Sequence, residues 1–139
     1  MTEQISVIEV EQITHQLAKI TMTWDQPIPD FKTRFSNVLE GCLAAPFQTF
    51  SKKDLYPGLF DKAAILFYLL SKNHPFQNGN KRVAVTTLFY FLFKNGYLLE
   101  VPPDKLYKLA LLVCDSDAEI KDAAFEAVKI ILEKYTVRM

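Results

Sequence analysis

The sequence predicts an all-α protein, a bundle of about six helices with one short β-hairpin-like segment. Three observations lead to this prediction. Apolar residues recur at helical spacing along most of the chain. Prolines, glycines and capping residues divide it into about six segments. Half of the 139 residues are hydrophobic, which is enough for one core but not for two. We therefore expect a single domain spanning residues 1–139.

The first two helices are predicted from their capping residues. The segment SVIEVEQITHQLAKI begins with a capping box of Ser6 and Glu9, and His15 within it is interpreted as structural. The residues TWDQPIPD predict a loop, because two prolines interrupt the helical pattern. A second helix is expected in DFKTRFSNVLEGCLAA, with Asp30 as its N-cap and Pro46 as its end.

The middle of the chain predicts a short extended segment followed by two helices. The segment FQTFSKKDLY alternates apolar and polar residues, which is typical of a strand or hairpin. The third helix is expected over residues 57–73, with proline in its first turn. The fourth is expected over residues 79–94, ended by the following Asn-Gly pair. Apolar residues surround the fourth helix, so we predict that it lies at the centre of the bundle.

Two further helices complete the predicted bundle. They lie in the segments PDKLYKLALLVC and DAEIKDAAFEAVKIILEKY. A second capping box, Ser116 with Glu119, is predicted in front of the last helix. No other segment has the alternating pattern of a strand, so at most one small extended element is expected.

The bulk composition excludes several classes of partner. Sixteen basic residues balance sixteen acidic ones, so the chain as a whole gives no reason to expect nucleic acid or an anionic membrane as a partner. The first ten residues lack the basic and apolar parts of a signal peptide. The longest apolar run, residues 63–70, is too short to span a bilayer. Cys42 and Cys114 are isolated and predicted to be small buried hydrophobes. A cytoplasmic protein is expected.

The most unusual stretch of the chain is KNHPFQNGNKR, residues 72–82, which is polar and cationic between two apolar helices. Pro75 disfavours helix at the residue before it, so the third helix is expected to end near His74. Phe76 is the one large apolar residue of the short loop and is predicted to anchor it in the core. Gly79 and Asn80 open the fourth helix, whose first backbone N–H groups have no intrahelical acceptor.

Two cations follow at the electrostatically unfavourable end of that helix. Lys81 and Arg82 stand in its first turn, where the helix dipole is already positive. A bound anion would remove this conflict, because glycine, free N–H groups and cations then converge on it. The stretch is not a Walker A loop, since it lacks the preceding strand and the Ser or Thr after the lysine. We therefore predict a phosphate site at Gly79, Asn80, Lys81 and Arg82.

The segment HPFQNGNKR resembles the signature HxFx(D/E)(G/A)N(G/K)R of the Fic/Doc family, named for filamentation-induced and death-on-curing proteins. Residues of about 30–100 also look like the family's central helices and flap. The resemblance implies transfer of part of a nucleoside triphosphate, ATP or another, to a protein hydroxyl. It implies that His74 is the general base, a role that suits imidazole, and that Phe76 anchors the loop.

The remaining roles implied by the resemblance concern the phosphates and the target. Gly79 and Asn80 would belong to the anion hole, and Arg82 would contact phosphate oxygens as a catalytic residue beside His74. The target backbone would align on a flap, as an added strand does on a sheet edge. The flap residues would be Phe47, Gln48, Thr49, Phe50 and Ser51.

Two positions favour one branch of the family. The branch that transfers AMP usually has glycine where this chain has Lys81, and a further arginine where it has Val85. The chain therefore resembles the Doc branch, which transfers the terminal phosphate. That resemblance implies a toxin, a separate antitoxin protein, and a Ser, Thr or Tyr hydroxyl as acceptor, with elongation factor Tu as the best-known target. AMP transfer is the alternative within the family.

One departure from the signature bears on catalysis. The metal-binding carboxylate of the family falls at Asn78, an uncharged amide. Mg²⁺ prefers hard oxygen ligands and usually gains from a carboxylate, so metal–nucleotide binding is expected to be weakened. The alternative reading is therefore a catalytically silent Fic-fold module that only binds a nucleotide or a protein. Glu40, in SNVLEG, fits the family's loose inhibitory pattern but is interpreted as structural.

Overall fold

The protein is described by a computed structural model that covers residues 1–139. Its helices are α1 over residues 7–20, α2 Ser36–Ala44, α3 Leu59–Lys72, α4 Asn80–Lys94, α5 Pro103–Asp115 and α6 Lys121–Tyr135. Four short strands form two antiparallel pairs. One pair is β1 Thr49–Phe50 with β2 Lys53–Asp54, and the other is β3 Tyr97–Leu99 with β4 Thr136–Arg138. The all-α bundle of six helices with a small hairpin is confirmed. None of the helices combines the length and the apolar character needed to cross a bilayer.

Helix α4 occupies the centre of the bundle. Ten of its fifteen residues are buried, and it packs against α1, α3, α5 and β3. The buried apolar residues of the chain form one cluster, to which α3 and α4 contribute the most members. Burial of this kind is the main stabilising contribution to a fold of this size. The loop before α4 is therefore held at the edge of the core.

One face of α4 carries polar side chains at every fourth position, Arg82, Thr86, Tyr90 and Lys94. All four reach α1, which lies antiparallel beside them. The Arg82 guanidinium donates to the carbonyl of Ala18 and the Thr86 hydroxyl to that of Thr14. Tyr90 Oη and Lys94 Nζ both bind the carboxylate of Glu9. Residues four apart share one helix face, so this stripe joins the two helices along their length.

Helix α1 contains a π-helical segment, Val10–Thr14, between the α-helical segments Val7–Glu9 and His15–Ile20. The α1 residues that pair with the polar stripe are Ala18, Thr14 and Glu9. Ala18 and Thr14 are four residues apart, whereas Thr14 and Glu9 are five apart. The longer step equals the hydrogen-bond spacing of a π-helix. The π-helical segment thus keeps both partners in line with the stripe on α4.

The second helix begins later than the sequence predicts. Asp30 does act as a cap, since its Oδ1 accepts from Lys32 N at 2.9 Å, but it caps only the single turn Phe31–Thr33. Arg34 is extended. The next amide, Phe35 N, donates instead to the carbonyl of Pro75 at 2.8 Å. This bond across the fold interrupts the helix and ties the segment to the polar loop.

Two other local predictions are wrong. Ser116 does not form a capping box with Glu119, because its Oγ donates back to the carbonyl of Val113 at 2.6 Å at the end of α5. The pairing of β3 with β4 adds a second small sheet. Its strands are separated by two helices in sequence, and pairing at that distance leaves no local pattern.

The hairpin of β1 and β2 is the extended segment that the sequence predicts. Ser51 and Lys52 form its turn, both with positive φ, as the tight hairpin turns with two central residues require. Lys62 of α3 anchors the hairpin from below. Its ammonium group is buried and binds the Asp54 carboxylate at 3.3 Å and the carbonyl of Tyr56.

Candidate active site

A polar cavity of about 150 Å³ lies at the N-terminal end of α4. No hydrophobic residue lines it. Its lining residues are Asp25, His74, Gln77, Asn78, Gly79, Asn80 and Lys81. Five of the residues that the sequence predicts to form a site therefore line one cavity, together with the Asp25 carboxylate from a distant loop.

His74 stands exposed at the edge of this cavity, directly after the last turn of α3. Its backbone is left-handed, with φ of 51°, a conformation that a residue with a Cβ adopts at some energetic cost. The carbonyl of the following Pro75 accepts the bond from Phe35 N, which holds the loop in place. The imidazole Nε2 lies 3.6 Å from the sulfur of Cys114. Strained backbone held by surrounding contacts is typical of functional residues.

Phe76 fixes the loop in the core. Its side chain is buried between the rings of His15 and Phe31, with ring centroids 5.3 and 5.9 Å away. The Asn80 side chain brackets its backbone: Oδ1 accepts from Phe76 N at 2.8 Å, and Nδ2 donates to Phe76 O at 2.9 Å. The amide of Asn80 is thus used to shape the loop, which leaves its backbone N–H as its contribution to the cavity.

Only glycine fits the backbone and the space at position 79. Its φ is +81°, and a Cβ there would stand 2.6 Å from Cγ1 of Ile28. Its N–H donates to Asn78 Oδ1 at 2.9 Å. The next three backbone N–H groups, of residues 80–82, donate to no acceptor within the protein. They form an open donor site at the positive end of α4.

The sequence predicts that Arg82 faces the cavity, but its side chain lies elsewhere. Its side chain is buried, and its guanidinium donates to the carbonyls of Ala18 at 2.7 Å, Gln26 at 2.6 Å and Thr21 at 3.2 Å. Two of these carbonyls belong to the C-terminal end of α1, where acceptors lack helical partners and the dipole is negative. Arg82 therefore caps α1, and this pairing relieves the electrostatic conflict at the start of α4. Lys81 is the cation that lines the cavity.

Asp25 is a site residue that the sequence analysis missed. Its Oδ2 accepts from Tyr107 Oη at 2.7 Å, and its Oδ1 accepts from Gln26 N at 2.8 Å. Burial acts to raise the pKa of Asp25. The two hydrogen bonds and the charges of Arg82 and Lys81 outweigh it and hold this pKa below its ordinary value. The carboxylate is therefore ionised at neutral pH.

Helix α5 holds the loop that carries Asp25. The indole of Trp24 contacts the ring of Tyr107 edge to face at 4.9 Å. Burial, with the hydrogen bond to Asp25, raises the pKa of Tyr107 to about 12, so the phenol stays a donor. An aspartate in a loop of prolines and polar residues is common, so no signal in the sequence separates Asp25 from Asp30 as a site residue.

Two side chains at this cavity offer oxygen atoms to a divalent cation. Asn78 Oδ1 and the Asp25 carboxylate are hard ligands of the kind that Mg²⁺ prefers. Gln26 Oε1 accepts from Asn78 Nδ2 at 3.3 Å, so the two loops are in direct contact. The Lys81 ammonium group or a bound metal ion would screen the repulsion between the Asp25 carboxylate and a phosphate in this cavity. No cluster of three His, Cys, Asp or Glu residues is present, so phosphate oxygens would have to complete the coordination.

The flap residues lie outside this cavity. Phe47 belongs to the short turn Ala45–Phe47 and packs on Phe91, with ring centroids 6.4 Å apart. Residues 48–51 form the first half of the hairpin, and the Phe50 side chain is 74% exposed. Such an apolar side chain on a short exposed strand is available to a partner. Glu40 is exposed and makes no ion pair.

Comparison with known proteins agrees with this fold and motif. The model of the Fic/DOC family matches residues 4–92, and the chain therefore belongs to the Fic/Doc family. It is 35% identical over 95 residues to a protein named Toxin Doc from Mycolicibacterium smegmatis. That alignment covers 64% of this chain and 73% of the relative. No solved structure matches the chain.

Proposed function

We propose that this protein is a Doc-like protein phosphotransferase, the toxin of a toxin–antitoxin pair, which moves the terminal phosphate of ATP to a protein hydroxyl. One observation carries the proposal: His74, Lys81 and the open N–H groups at the start of α4 meet at one polar cavity. The name of the relative, Toxin Doc, supports the toxin part of the proposal.

In the proposed reaction His74 takes the proton of the acceptor hydroxyl as its oxygen attacks the γ-phosphorus. The new oxygen–phosphorus bond forms as the bond from the γ-phosphorus to the β–γ bridging oxygen breaks, and ADP leaves. The N–H groups of residues 80–82 and the Lys81 ammonium group bind phosphate oxygens and stabilise their charge. Arg82 acts indirectly, because it holds the start of α4 against α1.

Asn78 and Asp25 would hold a magnesium ion in this site. The ion would supply neutralisation of phosphate charge. Asp25 offers the carboxylate that position 78 lacks, and this supports an enzyme over a silent module.

The partners of the proposed reaction are proteins. The exposed hairpin around Phe50 would align the backbone of the target, which carries the Ser, Thr or Tyr hydroxyl. Elongation factor Tu is the target that the resemblance to the Doc branch suggests. A separate antitoxin protein would restrain the activity.

A nucleotide-binding module without catalysis is the second candidate function. It is favoured by Arg82, whose guanidinium is already bound to three backbone carbonyls. AMP transfer is the third candidate. In that reaction the hydroxyl oxygen would attack the α-phosphorus and pyrophosphate would leave, so the nucleotide would lie in the cavity in the reverse direction.

The test is labelling of elongation factor Tu and of bacterial cell extract with γ- and α-labelled ATP in parallel. We expect label from the γ position with the natural chain and none with His74→Ala, while both chains bind ATP. Label from the α position would establish AMP transfer. Absence of label from both the natural chain and Asn78→Asp would favour the binding module. Growth inhibition on expression, relieved by the product of a neighbouring antitoxin gene, tests the toxin role.

A further inference from the structure

Cys114 contacts the imidazole of His74, although the sequence marks it only as an isolated thiol. Its Sγ lies 3.6 Å from His74 Nε2, within hydrogen-bonding range for sulfur. Cys114 is partly buried in the last turn of α5 and does not line the polar cavity, whereas His74 does. The thiol therefore contacts the side of the imidazole that faces away from the cavity.

The contact is built by the fold rather than by chance proximity of two side chains. Lys72, two residues before His74, donates its ammonium group to the carbonyl of Cys114 at 3.1 Å and to that of Ser116. This joins the end of α3 to the end of α5. The left-handed backbone of His74 and the fixed ring of Pro75 then set the direction in which the imidazole leaves the chain.

The contact has a consequence for the proton of the imidazole. A neutral imidazole carries one N–H and one free lone pair. If the Cys114 thiol donates to Nε2, the proton lies on Nδ1, and neither nitrogen can accept a proton from a substrate. If Nε2–H donates to the sulfur, the lone pair of Nδ1 remains free.

We propose that Cys114 is a positioning residue for His74: its sulfur accepts the Nε2–H bond and leaves Nδ1 as the atom that takes the proton. The direction of the hydrogen bond and its kinetic consequence rest on the proposed transferase function. The contact itself does not, and the position of the proton can be tested in the protein without any substrate.

The first test is nitrogen NMR of the protein with labelled histidine. The chain has two histidines, and His15→Phe assigns the spectrum. We expect nitrogen shifts that place the His74 proton on Nε2 alone in the natural chain and in Cys114→Ser. In Cys114→Val both tautomers should appear. A proton on Nδ1 in the natural chain, or Nε2–H alone in Cys114→Val, would overturn the proposal.

The second test separates positioning from packing by kinetics. Valine fills the space of the thiol without a polar atom, and serine keeps a polar atom in less volume. We expect Cys114→Val to lower kcat about tenfold with KM for ATP unchanged, and Cys114→Ser to recover most of the rate. The melting temperature of Cys114→Val should be no lower than that of Cys114→Ser. Equal kcat in the two variants would overturn the proposal.

The two tests fail in different ways if the transferase function is wrong. A natural chain that transfers no label but has the Nε2–H signal would refute the proposed function and leave the thiol–imidazole bond in place. A natural chain that transfers phosphate but carries the proton on Nδ1 would support the proposed function and refute the proposed role of Cys114.

Discussion

Individual residues at the cavity serve the site at some cost to the fold. His74 adopts a left-handed backbone, and Gly79 adopts one that only glycine fits beside Ile28. Departures from local preference of this kind concentrate at functional sites.

The strain at His74 can be measured by replacement with residues of different backbone freedom. Glycine adopts positive φ freely and alanine does not. We expect His74→Gly to be more stable than His74→Ala by about 1 kcal/mol in urea unfolding, because the left-handed cost is roughly of that size. Equal stability of the two variants would show that the loop relaxes and that no strain is stored there.

The proposed role of Asp25 and Asn78 in holding a metal ion can be tested by moving the carboxylate between these two positions. Asp25→Asn removes the only carboxylate that lines the cavity, and Asn78→Asp adds one that can still accept from Gly79 N. We expect Asp25→Asn to weaken binding of Mg²⁺–ATP, and Asn78→Asp to tighten it and speed phosphate transfer. Calorimetry with Mg²⁺–ATP and with ATP in EDTA measures both effects. If Asp25→Asn binds Mg²⁺–ATP more tightly than the natural chain, the carboxylate repels the nucleotide instead of holding a metal.

At the scale of elements, the polar stripe of α4 on α1 explains how a buried helix can carry Arg82 in its first turn. Arg82 and Thr86 satisfy α1 carbonyls, and Glu9 receives both Tyr90 and Lys94. The α1–α4 pair is thus joined by hydrogen bonds as well as by apolar packing. The start of α4, and with it the backbone N–H groups that have no acceptor, is held against the end of α1.

Lys81 and Arg82 are adjacent in sequence but should give opposite results when changed to alanine. Arg82→Ala leaves buried carbonyls at the end of α1 without donors, and we expect a loss of about 3 kcal/mol in the free energy of unfolding. Lys81→Ala should leave stability nearly unchanged and weaken ATP binding by roughly 1.5–3 kcal/mol. Urea unfolding and calorimetry on both variants provide the comparison. Weaker ATP binding by Arg82→Ala at full stability would restore the phosphate role that its sequence position predicts.

At the scale of the whole molecule, the site rests directly on the core through His15. Its imidazole is buried against Phe31 and Phe76. Its ring nitrogens make no hydrogen bond of good geometry, and the Pro29 backbone is an acceptor nearby. Burial, together with the charge of Lys19, lowers the pKa of His15. The core beneath the loop therefore contains a neutral imidazole that resists protonation.

This arrangement predicts a loss of stability in mild acid. The unfolded chain protonates His15 near pH 6.5, whereas the folded chain does so only at lower pH, so unfolding takes up a proton as the pH falls below about 6.5. Stability should be unaffected by His15 above that pH. Below it, His15 should cost up to about 1.4 kcal/mol per pH unit until the lowered pKa is reached.

Urea unfolding at pH 7 and pH 5 tests this prediction with a matched pair of histidine variants. His15→Phe preserves an aromatic ring in the core and should reduce the difference in stability between the two pH values. His74→Ala, at the exposed histidine, should retain it. The same difference in His15→Phe as in the natural chain would assign the acid sensitivity to other groups.

The sequence by itself determined the helical bundle, its loop and the order of residues at the site. Capping residues, prolines and apolar spacing act within a few residues, so α1, α3 and α4, the short hairpin and the break at His74 follow from local preferences. The motif also placed Gly79, Asn80 and Lys81 at the start of a helix, where N–H groups are free of intrahelical partners whatever the rest of the fold.

Only the tertiary structure decided which side chains enter the cavity. Arg82 turns toward α1 because the end of that helix offers carbonyls without partners, and Asp25 enters because Tyr107 and Trp24 hold its loop. Cys114 reaches His74 because Lys72 joins the ends of α3 and α5. These contacts link residues 40 or more positions apart, and their free energy depends on how helices pack. Periodicity and local propensity therefore do not carry them.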